Sequence, residues 1–93
     1  MAKNRFEEVD DAQPDAITLS LWREAEQGVA TVTCPAALTH GRLTSDMTSD
    51  KLPPKDAFRS AVRLANEIKA AIVVRDPDKL WDKDWGDLFR PVD

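Results

Sequence analysis

Residues with reactive side chains are few in this chain, and their spacing is sparse. One cysteine, Cys34, and one histidine, His40, stand six positions apart, with Arg42 just beyond. Together they could line a small-molecule pocket, or Cys34 could serve as a nucleophile with His40 as its base. Such groupings form in space, so sequence spacing does not decide between these. Cys34 keeps the alternating register of Ala30 and Val32, which suits a small buried hydrophobe, and His40-Gly41 suits an exposed turn. The run Asp82-Lys83-Asp84-Trp85-Gly86-Asp87 invites comparison with a calcium loop. Such a loop needs glycine at its sixth position and glutamate at its twelfth, whereas counting from Asp82 puts Gly86 fifth and Asp93 twelfth. An acidic solvated surface fits better. Zinc would need about four ligands, and Cys34 and His40 are the only soft ones. Ser20, Ser45, Ser49 and Ser60 lack the context of a nucleophile elbow, and no glycine-rich phosphate loop is present. The expectation is no catalytic residue, no metal and no cofactor.

Two further groups suggest binding rather than bond-making. Lys55, Arg59 and Arg63 recur every four residues and would form a cationic stripe on a helix. It could touch phosphate or an acidic partner, neutralise the chain's own acidic ends, or be solvated. Trp81 and Trp85, followed by Leu88 and Phe89, could close the open end of a small core or anchor a partner, because tryptophan is common both in cores and at binding hot spots. Trp22 would face away from the apolar side of its strand, toward that tail or a second subunit. Trp22, Trp81, Trp85 and Phe89 are therefore the candidate partner-binding residues.

Periodicity sets out the strands and helices on which these groups lie. Ile17, Leu19 and Leu21 alternate with Thr18, Ser20 and Trp22, the period of a half-buried strand. Val29 to Thr33 is again β-prone, and the loop Glu24 to Gly28 between the two predicts a hairpin with a five-residue connection. Pro35 ends the second strand. Residues 35–53 carry no clear period, with a short extra strand suggested at Arg42 to Thr44. Pro53-Pro54 opens a helix with Asp56 in its first turn, running to about Lys69. Its apolar face is Ala57, Phe58, Ala61, Val62, Ala65 and Ile68, with Ile72 in the same spacing beyond its end, and Arg63 and Glu67 could pair at i,i+4. Ala70 to Val74 is continuously apolar and reads as a strand covered on both faces or interior to the sheet. Asp76-Pro77 looks like a helix start, with Asp76 as N-cap, and predicts a short helix or turn over Pro77 to Trp81. Gly86 should break the aromatic C-terminal segment into two short turns.

A chain of 93 residues, 42% hydrophobic and 32% charged, fits one small soluble domain with a modest core, which dimerisation would enlarge. The net charge of −4 is concentrated at the two ends, in Glu7, Glu8, Asp10, Asp11 and Asp15 and again among the aspartates after Arg75. This balance disfavours nucleic acid and anionic membrane as partners. A single cysteine permits no internal disulfide, and no signal peptide or membrane-length apolar run is visible, so a cytoplasmic protein is expected.

The pattern Asp76-Pro77-x-x-Leu80-Trp81 followed by Trp85-Gly86-x-Leu88 resembles the ending of small uncharacterised bacterial proteins without an assigned activity. The resemblance covers about the last twenty residues. It implies a complete small bacterial protein and carries over no functional site.

The expected architecture is α+β: a small antiparallel or mixed sheet (β-β-α-β), one main helix packed on it, and a short aromatic C-terminal segment. Residues 1–14 are expected to be an acidic tail without fixed structure, of which Phe6 and Val9 could dock a fragment, and 15–90 a single domain. The first strand of the hairpin should be central, with the strand after the helix antiparallel to it. The expected function is that of a non-enzymatic interaction or accessory protein, homodimeric or bound to another protein. The alternatives are a pocket near Cys34, His40 and Arg42, and nucleic-acid contact through Lys55, Arg59 and Arg63.

Overall fold

The structure is a computed structural model and describes residues 5–11, 15–36 and 45–89. The alternation at Ile17 to Trp22 builds β2 (Ile17–Glu24), and β3 (Gln27–Cys34) returns antiparallel to it. Their connection is only Ala25 and Glu26, at φ of 48° and 67°. Two positive φ values give the type I′ geometry whose twist matches that of the strands, so pairing continues to Glu24↔Gln27. The expected five-residue loop is thus corrected to two. Gly28 lies inside β3, where a Cβ would stand 3.2 Å from Pro54 Cγ. The missing side chain lets the start of the helix approach the sheet.

After β3 the chain turns back along the same edge. β4 (Met47–Thr48) pairs antiparallel with Thr33 and Cys34, and a bridge between Leu52 and Ala30 prolongs the return. The extra strand suggested at Arg42 to Thr44 falls outside the described residues. The helix α1 (Pro54–Ile68) then crosses the sheet, with Pro at its first position and Asp56 in its first turn, and ends at Lys69 in the left-handed conformation. β5 (Ile72–Arg75) enters beside β2 and parallel to it, with Ile17↔Ile72 and Leu19↔Val74. The central place expected for β2 within β3, β2 and β5 holds, but the antiparallel direction expected for β5 does not. The reason is the return run at 47–52. It reverses the chain once more before the helix, so β5 starts from the same end as β2.

The largest correction concerns the N-terminus. Residues 1–14 are not all tail: Arg5–Glu8 forms β1, inserted between β5 and β6 (Asp87–Phe89) and parallel to both. Phe6 is buried there. β6 also replaces one of the two expected turns. The six strands run β4-β3-β2-β5-β1-β6 in one mixed sheet. Crossovers that step toward β6, through α1 and through residues 76–86, lie on one face. After β1 the chain leaves toward the other face, where Arg75 Nε donates to the Asp10 carbonyl at 2.8 Å. One crossover hand requires this division.

The core lies between the sheet and α1. Phe6, Ile17, Leu19, Leu21, Ala30, Val32 and Val74 meet Ala57, Ala61 and Ala65 of the helix. Alanine at every fourth position brings the helix axis close, and the sheet supplies the bulk. Burying each large aliphatic side chain contributes about 1.5–3 kcal/mol. Among the described residues, no helix is long and apolar enough to cross a membrane.

Candidate functional site

The two faces of the sheet differ in what covers them. On the helix side, α1 packs chiefly on β2, β3 and β5 and reaches β1 through Phe58 against Phe6, and the 76–86 crossover adds the further aromatics there. Phe58 of α1 stacks on Trp85 with centroids 4.7 Å apart and planes 7° apart. Trp81 stands edge-on to both, at 5.7 Å from Phe58 and 5.2 Å from Trp85, and Phe6 closes the group 5.0 Å from Trp81. Offset and edge-to-face contacts of this kind contribute beyond simple burial.

The segment is held by polar contacts at both ends. The buried Asp76 carboxylate accepts the Leu80 amide at 2.7 Å and the Trp81 amide at 3.0 Å. Of the short helix or turn expected after Asp76, the turn forms, at residues 77–78. The capping chemistry of Asp76 is used on that turn, with Lys79 at a positive φ of 59°. Trp81 Nε1 donates to the Gly86 carbonyl at 3.0 Å, and Gly86 takes a φ of 125° that favours glycine. A 3-10 turn, Lys83–Trp85, is capped by Asp82, which accepts the Asp84 amide. Asp76 and Asp82 thus serve as turn caps, and no group of three or more metal-ligating side chains occurs among the described residues.

The opposite face is lined by hydroxyls. Cross-strand register places Thr18, Ser20 and Trp22 of β2 opposite Thr33, Thr31 and Val29 of β3, with Thr48 beyond and Arg75 on the β5 side. Ser20, Trp22, Thr31, Thr33, Thr48 and Arg75 line a groove of about 480 Å³. Thr33 and Thr48 share a hydroxyl–hydroxyl bond of 3.2 Å. At one end Trp22 Nε1 donates to Glu24 at 2.7 Å, and Lys51 Nζ lies 2.9 Å from the same carboxylate. The Lys51 and Trp22 hydrogen bonds hold the Glu24 carboxyl below its ordinary range.

Arg75 also lines a second, smaller crevice of about 80 Å³ with Glu8, Val9, Asp10, Asp76 and Pro77. It lies at the carboxyl ends of β5 and β1, adjacent parallel strands whose outgoing connections leave to opposite faces. Open parallel sheets characteristically place their ligands at such a point. Sequence reasoning misses Arg75, which reads as no more than the last residue of an apolar strand. Only the topology reveals its place between groove and crevice.

The four candidate aromatics divide. Trp81 and Trp85, each half-buried, come together with Phe58 and Phe6 on the helix side. Trp22 is half-buried in the groove on the other face. Phe89, 40% exposed, pairs with Glu7 at the far edge of the sheet. Cys34 is buried, and burial together with the Asp46 charge pushes its thiol pKa up, away from nucleophile behaviour. His40 and Arg42 lie outside the described residues. Lys55, Arg59 and Arg63 are exposed along α1, and the ion pair expected between Arg63 and Glu67 is not among those of the described residues. No family model, no curated protein sequence and no solved structure matches this chain.

Proposed function

We propose that this chain is a non-enzymatic interaction protein that binds a protein partner along the groove between Trp22 and Arg75. One observation carries the reading. The aromatics on the helix side are already engaged with one another, whereas the groove side offers an indole, a row of hydroxyls and a guanidinium on a rigid sheet. Trp22 supplies a flat apolar wall, fixed in orientation by Glu24. Ser20, Thr31, Thr33 and Thr48 offer hydrogen bonds in both senses. Arg75 is tied to Asp10 through Nε, which leaves the terminal guanidinium nitrogens suited to a carboxylate on an extended segment of the partner. A reducing cytoplasm suits the free thiol of Cys34.

Affinity capture from the source cells tests this. The wild-type chain should retain a protein that a Trp22→Ser, Arg75→Ser double variant loses. A Lys55→Ala, Arg59→Ala, Arg63→Ala triple variant should still retain it. Loss with the helix variant and retention with the groove variant would move the site to α1. Equal capture by all three would dispose of both surfaces.

A further inference from the structure

The place of β1 in the sheet implies a second binding event, independent of the groove. β1 pairs with β5 and β6, through Glu7↔Val73, Glu8↔Val74, Arg5↔Asp87, Phe6↔Leu88 and Glu7↔Phe89. Both partners come from the far end of the chain. Among the described strands β6 has no other neighbour, so it joins the sheet through β1. The slot between β5 and β6 is thus an acceptor for an extended segment. It is shaped on its core side for one aromatic ring, that of Phe6, which is 2% exposed against Phe58 and Trp81.

The connection that lets the chain fill its own slot is short. β1 ends at Glu8 and β2 begins at Ile17, yet the two are parallel and β5 lies between them. Only eight residues, 9–16, separate the end of β1 from the start of β2, two places away in the sheet. Connections between parallel strands ordinarily need about a dozen residues or more. The same residues could instead run outward to a neighbouring molecule without making that return. Every contact of β1 would be reproduced there, because the acceptor has the same sequence.

We propose that the β5–β6 slot is a strand-acceptor site for β1 of a second copy of this chain, and that the protein forms a strand-exchanged dimer. Each copy donates Phe6 to the aromatic group of the other. The dimer is symmetric and closed, with one arm and one slot per copy.

Cross-linking tests the exchange directly. In a Cys34→Ala background, Glu7→Cys and Val73→Cys are introduced on separate chains, which are unfolded together, refolded at high concentration and oxidised. Neither chain alone can form the Glu7–Val73 bridge within itself. A covalent heterodimer that appears on mixing supports exchange. The double variant Glu7→Cys/Val73→Cys shows whether the pair can bridge at all. If it bridges only within one chain and the mixture gives no dimer, the proposal is overturned. Lengthening the link supplies a second measurement. Insertion of Gly-Ser-Gly-Ser between Asp11 and Ala12 should weaken dimerisation in sedimentation at least tenfold, by relieving the short return. A dimer unaffected by the insertion would exclude the short link as its cause and overturn the proposal. Failure of either experiment leaves groove binding untouched, since the Trp22 indole and the Arg75 guanidinium lie on the face opposite Phe6, and only the Arg75 contact with Asp10 would change on exchange.

Discussion

The two halves of the sheet are assembled by different means. The β4-β3-β2 half is antiparallel, with a two-residue turn between β2 and β3. The β5-β1-β6 half is parallel throughout and joins the first described strand to the last. The hairpin loses little loop-closure entropy, whereas the parallel half must close nearly the whole chain before any contact rewards it. The first half should therefore form early and hold by itself, and the second should depend on a few anchors. The aromatic group of Phe6, Phe58, Trp81 and Trp85 is that anchor set.

The most damaging test of this contrast is Phe6→Ala. Removal of a buried ring that touches Phe58 and Trp81 should cost about 3–5 kcal/mol. Hydrogen exchange should show β1 and β6 amides losing protection while β2 and β3 keep theirs. Uniform loss across the sheet would mean that the halves unfold as one unit, and the contrast would fail. Next in size is Asp76→Ala, which strands the Leu80 and Trp81 amides and should cost about 1–3 kcal/mol in urea denaturation. Its signature is a red shift in tryptophan emission as the 76–86 segment loosens.

On the hairpin side the effects are smaller and one has the opposite sign. Glu26→Gly relieves a positive φ at a non-glycine residue and should stabilise by about 0.5–1 kcal/mol, read as a raised melting temperature. The smallest effect is one of pH. Glu24 is depressed in the folded state, so its contribution is present above the ordinary carboxyl range and lost as pH falls through the folded value. The stability gap between wild type and Glu24→Gln should therefore narrow on acidification from about pH 6 toward about pH 3. A gap constant with pH would mean that the Lys51 and Trp22 bonds do not act through the charge.

The same contrast explains how much of the molecule is legible in its sequence. Alternation at Ile17 to Trp22, the Pro53-Pro54 helix start and the apolar run ending at Val74 are local signals, and each marks its element. Cys34 is readable as buried because its register follows Ala30 and Val32. β1 is not readable, since four residues with two glutamates carry no period and the partners of Phe6 lie at the other end of the chain. The direction of β5 turns on a two-residue edge strand and one bridge at Leu52, too short to leave a pattern. Asp76 is recognisable as a cap, but whether a cap begins a helix or a turn depends on what Trp81 packs against. Arg75 owes its place to the meeting of two crossovers, which no local window contains.

Both outer strands are stubs: β4 has two residues and β6 has three. A sheet that ends so abruptly offers a stray chain too few backbone groups to extend it, which guards against fibre growth. This gives the strand exchange its limit. In the proposed dimer, with both arms and both slots used, the outer strands among the described residues are too short to recruit a third molecule, so assembly would stop at two.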